Sequence, residues 1–217
     1  MAQPVGAFRA DYRQRRLPAR YSGALHALST TLILGTAVTT AIALLDAVEP
    51  LEWLTIPAIF LISNLFEYAL HRAHLHHPLP GARALFRIHT LEHHSYFTAE
   101  AMALEGHRDL HMILLPWWSP MLAAFVGYPS FGALVAWLLT PNVACLMIAT
   151  AASYFLMYEA LHFCHHAPEG SLIARLPLLR TLREHHRAHH DKALMGRRNF
   201  NITLPIFDWL LGTTHKP

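Results

Sequence analysis

Sixteen of the chain's 18 histidines lie between residues 71 and 190, and all of these but His107 and His111 are gathered in four clusters. The densest, REHHRAHHD from Arg183 to Asp191, places His185, His186, His189 and His190 within six positions. Neutral imidazole is the commonest side-chain metal ligand, and residues three or four apart share a helical face, so this spacing suits chelation. Similar clusters run from His71 to His77, from His89 to His94 and from His162 to His166. One such run could be a solvated polar helix; four recurring runs argue for a shared purpose. A structural zinc takes four ligands, often including thiolates, and ten or so histidines exceed what one metal can use. A two-metal site is the economical expectation. Imidazole suits zinc, copper, iron and nickel alike, so ligand type leaves the metal open.

The elements that must position these clusters are apolar. Of 217 residues, 53% are hydrophobic and 14% charged, against roughly 25% charged in an ordinary soluble domain. The formal charge of +3 does not point to nucleic acid, because the Arg and Lys residues are dispersed and no nucleic-acid motif is present. Cys145 and Cys164 make no disulfide framework and are expected as thiols. Residues 1–21 form a basic flank with Arg9, Arg13, Arg15, Arg16 and Arg20. A first span is expected from Gly23 to Val48, long enough to cross about 30 Å of hydrocarbon. A cleaved signal peptide ending near Ala43 is the competing reading, weakened by the length of the run. A second span is expected from Leu51 to Leu70, ending in Glu67 and Tyr68 beside the first cluster, and HPLPG at His77 to Gly81 marks a turn.

A third apolar run extends from Leu110 to Val126. After GYPSFG a longer run reaches Phe163, interrupted at Pro141 and Asn142. Two readings remain: one kinked helix of about 30 residues, near 45 Å long, or a break at Pro141 with an extra segment that would carry the later histidines to the opposite side. Charge favours four spans. All 17 Lys and Arg residues then fall on one side in three segments, and the other side keeps short turns with Asp46, Glu49 and Glu52. The positive-inside asymmetry puts both termini and every cluster in the cytosol. The expected architecture is one all-α integral-membrane domain over 1–217, with four transmembrane helices, a cytosolic flank at 1–21 and a cytosolic histidine-rich helical cap at 164–217. The NIT at Asn201 would be cytosolic and is discounted as a glycosylation acceptor.

The motifs EYALHRAHLHH from Glu67, HTLEHHSYF from His89, YEALHFCHH from Tyr158, LREHHRAHHD from Leu182 and NFNITLPIFDWLLGT from Asn199 carry a family resemblance. Over about residues 60 to 213 the chain resembles the fatty acid hydroxylase superfamily of integral-membrane di-metal oxygenases, which includes sterol desaturases and sphingolipid alpha-hydroxylases. The resemblance implies ten ligands: His71, His76, His89, His93, His94, His162, His166, His186, His189 and His190. Helical phase independently supports the i, i+4 pairs His89 with His93, His162 with His166, and His186 with His190. It does not support His71 with His76, about 140° apart on an ideal helix; periodicity alone pairs His71 with His74. His74, His77, His165 and His185 are left as neighbours or exposed side chains. Because ligating imidazoles usually donate their other N–H to an acceptor, Glu67 and Glu159, each within a turn of a ligand, are expected to brace the ligand shell. Phe207, Asp208 and Trp209 read as a packing cap without chemistry.

The resemblance further implies two iron ions (zinc being possible as purified), dioxygen as co-substrate, and a lipid substrate with an acyl, sterol or isoprenoid-type chain reached from the bilayer. It implies hydroxylation. Two electrons are needed per turnover, and the chain shows no haem, flavin or iron–sulfur motif, so a separate ferredoxin, rubredoxin or cytochrome b5-like donor is expected at the basic face. Desaturation on the same metals is the alternative outcome. A non-enzymatic zinc-handling membrane protein is a further one, disfavoured because transporters place ionisable ligands near the midplane, whereas these crowd at span ends.

Overall fold

The computed structural model describes residues 4–215. Among these residues the regular structure is helical, apart from an isolated antiparallel bridge between Thr98 and Ala101. Four helical stretches are long and apolar enough to cross a membrane: Gly23–Ala43, Glu52–Leu75, Trp118–Leu138 and Pro141–His166. The chain divides into two compact units. One holds Ala24–Ser63 and Leu115–Glu159; the other holds the N-terminal stretch to Gly23, Asn64–Leu114 and the chain from Ala160 onward.

Four spans agree with expectation, but their division corrects it. The residues after Leu110 do not start the third span. Leu110–Ile113 is one short helix, and Met112, Ile113 and Leu114 are buried in the histidine-bearing unit, where Met112 and Ile113 pack with Tyr12, Tyr96 and Phe97. That helix stops because Leu115 precedes Pro116, and a residue before proline is disfavoured in the helical region. The third span instead runs Trp118–Leu138, straight through GYPSFG. A π-helical segment, Ala123–Gly127, lies just before Pro129, where the missing N–H and the ring interrupt the ordinary ladder. The break at Pro141 is real but adds no span: Leu139 leaves helical geometry and Pro141 opens the fourth span at the first position, where proline is tolerated.

Within the membrane unit the turns are tied by Asn142, which donates to the Asp46 carbonyl (2.7 Å) and to Glu52 (3.0 Å). Gly132 lets the third and fourth spans approach, since a β-carbon there would meet Ile148 at 2.8 Å. Two apolar grooves of about 470 and 460 Å³ lie among these helices, one lined by Leu32, Thr36, Phe125, Tyr128 and Ile148, the other by Val38, Trp53, Phe60 and Tyr154. Large apolar side chains such as Leu28, Phe125, Phe131 and Trp137 are exposed, as hydrocarbon contact requires.

In the other unit, the N-terminal helix Val5–Arg15 packs on the segment after His94, and the cap helix Pro177–His189 carries the last cluster. From residue 4 onward the N-terminal flank is thus part of this unit. Asn201 is buried and donates to the Asn64 carbonyl at 3.0 Å, which closes the NIT sequon to any glycan.

Candidate metal centre

Nine of the ten histidines expected as ligands gather into two buried groups: His71, His76, His89, His94 and His189 in one, His93, His166, His186 and His190 in the other. Within each group the available nitrogens all lie within 4.8 Å of one another. The tenth, His162, is buried beside the second group, with ring centroids 5.1 Å from His166 and 5.2 Å from His186, and its ring hydrogen-bonds the Ile113 backbone.

Local helix geometry makes this grouping possible. His71–Leu75 and Arg87–His93 are π-helical, with hydrogen bonds reaching five residues instead of four. The wider turn brings His71 over His76, rings stacked at 5.0 Å, and His89 next to His94, with Nε2 atoms 3.1 Å apart. Periodicity on an ideal helix therefore misleads twice. His74 is exposed and takes no part. His89 and His93 stack at 5.2 Å yet contribute to different groups.

The δ nitrogens set the tautomer of six of the rings. His93 donates from Nδ1 to the Met112 carbonyl (2.7 Å), His166 to Met102 (2.8 Å) and His190 to Phe97 (2.7 Å). In the other group His189 donates to Arg198 (3.0 Å), His71 to Phe200, and His76 to Thr90 Oγ1 (3.2 Å), whose own hydrogen goes to the Leu75 carbonyl. A neutral imidazole has one N–H, so each of these six rings presents a lone pair at Nε2. Nevertheless Nε2 of His76 lies 3.0 Å from Nε2 of His189, and that of His93 lies 3.2 Å from that of His190. Two lone pairs cannot make a hydrogen bond. A cation held between them turns the close approach into an attraction, so the residues fit a metal in each group.

Burial reinforces the donor state. It pulls His76 down to about 2 and His93 down to about 4, and it lowers His89, His94, His186, His189 and His190 well below the ordinary imidazole range, with neighbouring imidazoles adding to the effect in those five and in His76. These rings are neutral at pH 7, as ligands must be. Their folded-state values are depressed, so the unfolded chain takes up protons first as pH falls below about 6.5. Each such ring costs the fold about 1.4 kcal/mol per pH unit in that window. Metal-free protein in detergent is therefore expected to lose thermal stability steeply between about pH 6.5 and 5, and metal-loaded protein much less; flat unfolding curves for both would contradict the neutral buried cage.

Of the two acids expected to brace the ligands, Glu67 acts one step further out, and Glu159 bonds to backbone. Glu67 accepts from the Ile202 amide, the Thr203 amide (3.0 Å) and the Thr203 hydroxyl (2.7 Å), so it holds the loop whose Phe200 carbonyl orients His71. Glu159 accepts from the Leu115 amide (3.0 Å) with one oxygen and leaves its other oxygen buried without a partner. Of the remaining histidines, His77 is exposed, His165 donates to the Ile202 carbonyl at 2.8 Å, and His185 faces Asp208 at 3.2 Å. Asp208 is far from inert packing. Fully buried, it accepts from the Phe200 and Asn201 amides and the Thr213 hydroxyl. A signal for it was present, since it is the lone acid in NFNITLPIFDWLLGT.

The sequence model of the fatty acid hydroxylase family matches residues 56–213. Among solved structures, the chain is similar to one titled "Full length scs7p (only hydroxylase domain visible)", with a TM-score of 0.61 and 22% identity, over 90% of this chain and 67% of that one. No curated protein matches the chain.

Proposed function

The chain belongs to the fatty acid hydroxylase family and is an integral membrane protein with four apolar helices; from that premise we propose that it is a di-iron lipid monooxygenase. The observation that carries the proposal is the pair of buried imidazole groups whose ε nitrogens face each other with lone pairs. His71, His76, His89, His94 and His189 would hold one metal, and His93, His166, His186 and His190 the other, with His162 completing the second set. Two bound irons would supply dioxygen activation and oxidation of a C–H bond. The chain's own residues keep the imidazoles neutral, fix six of the rings by their δ N–H, and exclude bulk water by burial. Phe97 and Phe200, both fully buried, pack on the ligand rings, with centroids 4.1 Å from His166 and 6.0 Å from His71.

The substrate is a lipid chain, of acyl, sterol or isoprenoid type, because the surroundings offered by the spans are hydrocarbon-like and a tail loses little on leaving the bilayer. Clustering of Arg and Lys on the histidine side of the spans supports a cytosolic centre and cytosolic termini. It also supports docking of a separate acidic electron donor of ferredoxin, rubredoxin or cytochrome b5-like type.

The test is product analysis. Protein purified with iron supplied is expected to contain close to two metals per chain. Cells expressing it are expected to accumulate a lipid heavier by one oxygen atom. A lipid lighter by two hydrogens would make the enzyme a desaturase, and a single metal per chain would overturn the two-metal centre.

A further inference from the structure

The two imidazole groups are oriented by different stretches of backbone. The second group donates to the carbonyls of Phe97, Met102 and Met112. The first donates to Phe200 and Arg198, on the loop held by Asp208 and Glu67. Each set of carbonyls therefore forms a separate frame.

The frame of the second group is gripped by a residue that lies outside the segment matched by the family. Arg9, on the N-terminal helix, is 3% exposed, and its guanidinium is spent on that frame alone. Its Nε donates to the Tyr96 carbonyl at 2.7 Å, one terminal nitrogen donates to the Ala101 carbonyl at 2.7 Å, and the other pairs with Glu105 at 2.8 Å. Tyr96 and Ala101 each immediately precede a residue, Phe97 and Met102, whose carbonyl fixes a ligand ring. The same guanidinium lies 5.1 Å from the Phe97 ring centroid, and Phe97 packs at 4.1 Å against His166. Two further contacts hold this helix in register. Arg13 forks onto Asp109 at 2.9 Å through two nitrogens, and buried Asp109 also takes the Tyr96 hydroxyl and the Glu105 amide. Tyr12 donates to Glu92 at 3.2 Å, beside His93.

Resting on the two-metal reading above, we propose that Arg9 is a positioning residue for the metal held by His93, His166, His186 and His190, and that the N-terminal helix is a strut for that metal and not for its neighbour. A guanidinium is suited to the role because its planar fork satisfies three acceptors at fixed angles, which a lysine ammonium on a flexible stem cannot do. Removing it leaves the Tyr96 and Ala101 carbonyls without their donor. The adjacent Phe97 and Met102 carbonyls then lose their aim at His190 and His166.

The test uses the full chain purified in detergent with iron supplied, reading metal per chain and the kinetics of metal release to a chelator. Wild type is expected to release two metals. Arg9→Gln is expected to release one of them 10- to 100-fold faster, roughly the cost of losing an outer contact of a metal ligand, while the other leaves at the wild-type rate. In a His186→Ala, His190→Ala background, which lacks the second group, Arg9→Gln is expected to change nothing further. Asp208→Asn is expected to speed the opposite metal. Should Arg9→Gln fail to accumulate, Arg9→Lys retains the charge and stem and is expected to give the same selective change at smaller size. Equal acceleration of both metals would reduce Arg9 to general stability and overturn the proposal, as would unaltered release of both. Wild type holding a single metal would instead refute the two-metal centre itself.

Discussion

His189→Ala, expressed with iron supplied, is expected to lose product formation by more than about 100-fold, beyond the 10- to 100-fold that outer contacts of metal ligands cost. The side chain is fully buried, its Nδ1 is committed to the Arg198 carbonyl at 3.0 Å, and its Nε2 faces His76 at 3.0 Å. Its ring also stands 4.4 Å from that of His71. Deleting it removes a donor that no neighbour can replace, because the other rings of the group are each held by their own acceptor or packed against one another. Metal content is expected to fall toward one per chain. Membrane insertion is expected to be unchanged, since apolar span composition governs it. His74→Ala, at an exposed position three residues from His71, serves as the matched control and is expected to keep metal and turnover. Elemental analysis alongside lipid mass spectrometry checks both variants. Full activity in His189→Ala would remove that residue from the centre.

Asp208→Ala is expected to produce the largest loss of stability among single changes in the cap. The carboxylate is 0% exposed and takes four donors: the Phe200 amide at 3.0 Å, the Asn201 amide at 2.7 Å, the Thr213 hydroxyl at 2.6 Å and His185 Nε2 at 3.2 Å. Burial alone would raise its pKa, but these donors outweigh it and hold the carboxyl below the usual carboxylate range. Alanine strands two buried amides and an imidazole together. Each unsatisfied buried group costs about 1–3 kcal/mol, and losing one partner of a buried charged network about 3–5 kcal/mol. For a chain of this size that is a fall in Tm on the order of 10 °C. Thermal unfolding in detergent measures it, and a shift within a degree or two would show that the 199–213 segment is held by other contacts. Because the Phe200 carbonyl orients His71, metal in the first group should loosen in the same variant.

The sequence by itself determined the class of fold and the class of chemistry. Four apolar stretches, an excess of basic residues beside the histidine clusters and the repeated histidine spacing are local properties, legible because hydrocarbon length and ligand type depend on residue identity more than on neighbours in space. It left the third span in the wrong place, since Met112 and Ile113 look like lipid-facing residues until Tyr12, Tyr96 and Phe97 are seen to cover them. It also could not divide the ten histidines. Their spacing was read on a regular helix, whereas π turns at His71–Leu75 and Arg87–His93 re-phase two clusters by a residue each.

Only the tertiary structure decided which ring joins which group, and in five of the rings the free nitrogen is selected by the carbonyl that the other nitrogen meets. Those carbonyls lie 64, 93 and 129 residues away along the chain, for His166, His190 and His71 respectively. Contacts across such separations carry no local periodicity, and Arg9, Asp208 and Thr90 become part of the centre only once the chain has folded around them.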